Sequence, residues 1–125
     1  MVVDTSVLLA IFFAENHSRW AAAQLNAHAE QLCISTVNLT ETLIRLQDRQ
    51  PDHYHQAEQL LLAGGIRFVP PDTWQVRIAA DARLRYPLNL GDCYAYALAV
   101  VEDYPILTLD SDFNVTDRPI IYPEK

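Results

Sequence analysis

The stretch Met1-Val2-Val3-Asp4-Thr5-Ser6-Val7-Leu8-Leu9 constrains the fold more than any other. A run this apolar in a soluble chain reads as a buried strand, with its single carboxylate at or just past the strand's end. Burying a carboxylate is costly unless it is paired or meets a cation. Three later acids stand in comparable places. Glu41 lies in a helical stretch, Asp92 opens another helix, and Asp110 follows a second apolar strand. The expectation is that Asp4, Glu41, Asp92 and Asp110 converge on one divalent-metal site at the carboxyl edge of a parallel sheet.

The rest of the chain supplies that sheet. Residues 6–14 predict a short buried helix, broken by Glu15-Asn16-His17-Ser18. A second helix is expected over roughly 18–30, capped by Ser18, with Trp20, Ala23, Leu25 and Ala27 facing inward. Leu32-Cys33-Ile34 predicts a second strand. Ser35 through Asn38 offers cap chemistry for a third helix, which carries Glu41 and ends near Gln50-Pro51. Leu39 and Ile44 imply that much of this helix is covered. A helix over 52–63 is closed by Gly64-Gly65, and Ile66-Arg67-Phe68-Val69 predicts a third strand. Asp72 caps a helix holding Trp74, Ile78, Ala79 and Ala82. Asn89 caps the next, from Leu90 to about Val101. Residues 105–109 form a fourth strand ending at Asp110, and residues 119–122 a short fifth at an edge. Strands alternating with helices imply an α/β fold, a parallel sheet covered on both faces. In such sheets ligands bind outside the carboxyl ends of the strands. That is where Asp4 and Asp110 fall.

At 125 residues the chain fits one domain, 1–125. Its formal net charge of −7 argues against broad electrostatic binding to nucleic acid. The argument is softened because eight of the nine basic residues are Arg, the side chain suited to bidentate phosphate contact. Cys33 and Cys93 lack metal-ligand spacing and read as buried thiols of a reducing, cytoplasmic protein. The apolar run over 7–14 has no basic residue before it and is too short to span a membrane. His53 and His55 point to different helical faces. No Ser-His-Asp arrangement or phosphate-binding Gly loop is visible, and the chain holds only three Gly.

Each acid also has a purely structural reading. Asp4 suits a turn at Thr5-Ser6. Glu41 suits the start of a helix. Asp92 suits a capping box with Asn89, although Gly91 beside it costs helix stability and lets something approach the backbone closely. Asp110 and Asp112 suit a turn after the strand. Mg²⁺ and Mn²⁺ prefer oxygen ligands, so the set as a whole points to phosphodiester chemistry.

Taken together, Val3-Asp4-Thr5-Ser6-Val7-Leu8, Ser35 through Asn38 leading to Glu41, Gly91-Asp92-Cys93-Tyr94-Ala95-Tyr96-Ala97-Leu98-Ala99, and Leu107-Thr108-Leu109-Asp110-Ser111-Asp112-Phe113 resemble a PIN domain. Order, spacing and length are most similar to VapC-type toxins of toxin–antitoxin pairs. The resemblance implies an α/β/α sandwich on a five-stranded parallel sheet and a metal-dependent endoribonuclease acting on RNA. It implies that Asp4, Glu41, Asp92 and Asp110 are the catalytic, Mg²⁺- or Mn²⁺-binding acids, with Asp112 a further metal ligand. Ser6 and Thr108 match positions that hold a ligand water or a carboxylate. It also implies a homodimer and a small antitoxin partner whose tail blocks the acidic pocket, often through a basic side chain. The acidity of this chain departs from an RNA binder's usual basic track. Arg83 and Arg85 are candidates for backbone contact, and Arg45 and Arg49, one helical turn apart, for contact with RNA or antitoxin.

Two competing readings remain. An aspartate phosphotransferase with Asp4 as nucleophile needs a second nearby Asp and a helper Lys, whereas Ser6 takes that place and the only Lys is Lys125. The alternative outside enzymes is a catalytically inactive PIN-like interaction module.

Overall fold

The computed structural model describes residues 1–123 and contains a five-stranded, wholly parallel sheet in the order β3-β2-β1-β4-β5. The strands are β1 (Val2–Val3), β2 (Cys33–Ser35), β3 (Arg67–Val69), β4 (Ile106–Leu107) and β5 (Ile120–Ile121). The helices are α1 (Thr5–Phe12), α2 (Ser18–Ala27), α3 (Thr36–Arg49), α4 (Tyr54–Ala63), α5 (Thr73–Arg85) and α6 (Leu90–Glu102). Short 3₁₀ turns at Pro51–His53 and Ser111–Val115 complete the set.

Side chains along a strand alternate between faces, and each central strand here divides its residues between two cores. Val2, Cys33 and Ile106 pack with Ala79, Ala82 and Leu98 of α5 and α6. Val3, Ile34 and Leu107 pack with Val7, Leu46 and Leu61 of α1, α3 and α4. This is an α/β/α sandwich, as the alternation of elements predicts. β1 lies at the centre, and the chain winds outward first through β2 and β3, then returns to β1's other side with β4 and β5. The winding therefore reverses between β1 and β4, the place where such sheets open a crevice at their carboxyl edge.

Several local expectations shift. Residue His17, at φ 69°, precedes α2, Ser18 is already helical, and no side chain caps this end. The buried or half-buried stripe is Ala21, Gln24, Leu25 and His28, with Trp20 half-buried and Ala23 and Ala27 exposed. Alanines scattered around a helix carry little phase information, which is why the inner face was misplaced. α2 also stops at Ala27, and β2 begins one residue later than expected. β4 is shorter than 105–109. Ile44 is 59% exposed and Trp74 58%, so neither belongs to the core. The caps at Ser35, Asp72 and Asn89 form as expected, each accepting a backbone N–H. No helix among the described residues is long and apolar enough to cross a membrane.

Candidate functional site

Asp4 follows β1 directly, and its N–H donates to Leu107 O of β4 at 3.0 Å. The pairing places its side chain at the reversal of the sheet. The carboxylate is buried but does not cap α1. Instead Ser6 Oγ donates to Asp4 Oδ2 at 2.7 Å and Thr108 Oγ1 donates to the same oxygen at 2.9 Å. Each hydroxyl is itself oriented from behind. Leu109 N–H donates to Ser6 Oγ at 3.0 Å, and Asp110 N–H donates to Thr108 Oγ1 at 2.9 Å. Both hydroxyl protons are thus committed to one carboxylate oxygen, and residues 102 to 104 apart in sequence are locked together. Of the two roles implied for Ser6 and Thr108, the contact present is the one to a carboxylate.

Glu41 comes from α3, which opens at the carboxyl end of β2. Thr5 Oγ1 donates to Glu41 Oε1 at 3.1 Å, and Asn38 Nδ2 donates to it at 3.0 Å. Asn38 is fully buried, and its amide also donates to Gly91 O of α6 at 3.0 Å. A Cβ added at Gly91 would overlap the Glu41 carboxylate. The glycine is therefore a cradle: it spends helix propensity so that an acid from α3 can lie against α6. Neither Thr5 nor Asn38 was singled out as a site residue from the sequence. Asn38 read only as cap chemistry, because its partners are reached through tertiary packing.

Asp92 takes part in the capping box that opens α6. Asp92 N–H donates to Asn89 Oδ1 at 2.8 Å, and Asn89 N–H donates to Asp92 Oδ2 at 3.3 Å. Its structural reading is correct, yet the box leaves the carboxyl buried among other acids. Burial above all, then the charges of Asp4 and Asp110 and more weakly Glu41, push Asp92 up to about 7, against the one opposing Asn89 hydrogen bond. Asp4 is also pushed up by burial and by Asp110, while Ser6 and Thr108 pull the other way.

Asp110 accepts the Asp112 N–H at 2.9 Å and so caps the 3₁₀ turn that follows. Asp112 itself is exposed. One cleft of ≈ 380 Å³ is lined by Asp4, Glu41, Asp92 and Asp110 together with Thr5, Ser6, Leu9, Ile44, Arg45 and Asn89. Asp112 is not among these residues, which separates it from the four acids it was grouped with. Arg83 and Arg85 do not line the cleft either. Arg85 Nη2 donates to Tyr86 Oη at 2.9 Å, with its guanidinium over that ring. Arg49 stacks on Phe13 at 3.9 Å and pairs with Glu15 at 3.6 Å.

An all-carboxylate donor set, with no ion pair to any of its four acids among the described residues, fits a hard divalent cation better than any other group. As the side chains stand, no three His, Cys, Asp or Glu among the described residues are grouped to hold an ion. Glu41 is turned to Thr5 and Asn38, and Asp110 to the Asp112 N–H.

Sheet order, sandwich and carboxyl-edge acids together define the class, and the family model agrees. This chain belongs to the PIN domain family, whose model matches residues 1–119. It is 35% identical over 129 residues to a VapC ribonuclease of Mycobacterium bovis, covering 95% of this chain and 98% of the relative. It is 32% identical over 130 residues to ribonuclease VapC of Mycolicibacterium smegmatis, covering 98% and 100%. Among solved structures, Mycobacterium tuberculosis VapC20, a sarcin-ricin loop cleaving toxin, aligns with a TM-score of 0.83 over 98% of both chains at 17% identity. A chain of a toxin–antitoxin complex from Klebsiella pneumoniae gives 0.78 over 96% of this chain and 95% of that one, at 21% identity. At these identities the solved structures speak for the fold.

Proposed function

We propose that this protein is an Mg²⁺- or Mn²⁺-dependent endoribonuclease and the toxin of a toxin–antitoxin pair. The whole-length similarity to proteins named VapC ribonucleases supports the ribonuclease class. The observation that supports the metal-dependent reading is the cleft itself, which four carboxylates from four separate segments line without an ion pair among the described residues.

Asp4, Glu41, Asp92 and Asp110 would hold the ion, and Asp112, whose N–H is bonded to Asp110, is the further candidate ligand beside them. A divalent ion held there would supply Lewis acidity toward a water and toward the phosphate. The chain's own contribution is orientation. Ser6 and Thr108 fix Asp4 Oδ2, Thr5 and Asn38 fix Glu41 Oε1, and Asn89 fixes Asp92 Oδ2. Asp92, raised by burial and by the neighbouring acids, would have to lose its carboxyl proton to serve as a ligand. An acidic cleft of this kind also suits an antitoxin that reaches into it with an Arg or Lys. Homodimer formation and a cytoplasmic location belong to the same reading.

The spread of the acids favours one other reading, a PIN-like interaction module without catalysis. RNA cleavage separates the two. The nuclease cuts RNA with Mn²⁺ or Mg²⁺, stops with EDTA, and stops on Asp4→Asn with the fold retained by circular dichroism. Metal-independent cutting, or no cutting by the wild type, sinks the nuclease reading.

A further inference from the structure

We infer that Arg45, beside Ile44 on the rim of the acidic cleft, is the seat for an RNA backbone phosphate next to the scissile one; this rests on the ribonuclease reading above. Among the described residues, Arg45 is the one basic side chain lining the cleft. It follows Glu41 by four residues on α3, the spacing at which Glu and Arg ordinarily pair. Here the Glu41 carboxylate is turned away to Thr5 and Asn38, and Arg45 makes no ion pair among the described residues. The guanidinium stays available at the edge of the cleft.

Other arginines are committed elsewhere. Arg49 is held by Phe13 and Glu15, Arg67 by Glu102 at 3.2 Å, and Arg118 by Asp103 at 3.1 Å. A chain of net charge −7 has no broad basic track, so individual contacts must offset the repulsion between RNA and the cleft. A guanidinium suits that task, since its fork matches two phosphate oxygens. Ile44, 59% exposed beside it, gives an apolar surface against which a ribose or base face can lie.

The test follows RNA binding and cleavage as separate quantities. Anisotropy of a fluorescein-labelled single-stranded RNA gives Kd, and cleavage of the same RNA gives kcat and KM, both across a KCl series at fixed Mn²⁺. Arg45→Ala is expected to raise Kd and KM about 10-fold with kcat nearly unchanged. It should also flatten the slope of log Kd against log salt by about 0.7, the loss of one single-strand phosphate contact. Arg45→Lys should keep the slope while losing part of the affinity. Arg19→Ala, which removes the same charge outside the cleft, should change neither. An unchanged Kd and slope in Arg45→Ala, or a fall in kcat alone together with a lower melting midpoint, overturns the inference. If the wild type binds RNA without cutting it, the nuclease reading falls and the salt slope still decides Arg45. If the wild type binds no RNA, both fall.

Discussion

The two ends of the sheet treat the same residue type in opposite ways. At the amino end, two acids are answered by cations, Glu102 by Arg67 and Asp103 by Arg118, and Asp117 accepts from the Tyr96 hydroxyl at 2.6 Å. Burial first, and then that contact, push the Tyr96 hydroxyl up. At the carboxyl end, Asp4, Glu41, Asp92 and Asp110 have no ion pair among the described residues and are held by hydroxyls, an amide and backbone N–H groups. Neutral donors orient a carboxylate without cancelling its charge. The contrast separates acids that hold the fold together from acids left without an ion-pair partner and open to a ligand.

Substitution at both ends gives the widest separation. Asp4→Asn should lower RNA cleavage by at least about 100-fold, comparable to losing a metal ligand or its orienting partner. Glu102→Gln should leave cleavage intact and cost under about 1 kcal/mol in denaturant unfolding, because its pair is partly solvated. Equal losses at both ends would erase the distinction.

Mn²⁺ sharpens it next. At 100-fold over its Kd, the ion should stabilise the wild type by about 2.7 kcal/mol, read as a raised melting midpoint. Asp92→Asn should lose most of that rise, whereas Asp103→Asn should keep it. A third test uses pH without added metal. The Asp92 carboxyl titrates near 7 in the folded protein and near 3.8 unfolded, so the folded state binds more protons between those values. Stability should therefore decline as pH rises from about 4 through 7. Asp92→Asn should flatten that decline, and Mn²⁺ should offset it at the alkaline end. The smallest effect has two signs. Gly91→Ala should raise stability by up to about 1 kcal/mol through helix propensity while weakening Mn²⁺ binding, because the methyl displaces the Glu41 carboxylate. Unchanged Mn²⁺ affinity in that variant would show that Glu41 has no part in the set.

Much of this was legible in sequence, for identifiable reasons. β1 and β4 are apolar on both faces, so Asp4 and Asp110 stand out at their ends, and Gly91 stood out by costing a helix stability. The sandwich followed from the order of elements. What could not be read were contacts made only by tertiary packing. Asn38 looks like any polar residue early in a helix, yet it joins α3 to α6. Asp112 looks equivalent to Asp110, but the 3₁₀ turn sends one to the cleft and the other to solvent. Ile44 fits the helical periodicity of a core face and sits instead on the cleft rim.

The central place of β1 has a consequence for synthesis. Its partner on one side is β2, about thirty residues on, but its partner on the other is β4, more than a hundred residues away. Until Ile106–Thr108 has left the ribosome, β1 presents an unpaired edge, and Asp4 lacks the Thr108 hydroxyl that fixes it. The cleft therefore assembles only once β4 has been made, and a chain stalled before β4 carries only part of its acids.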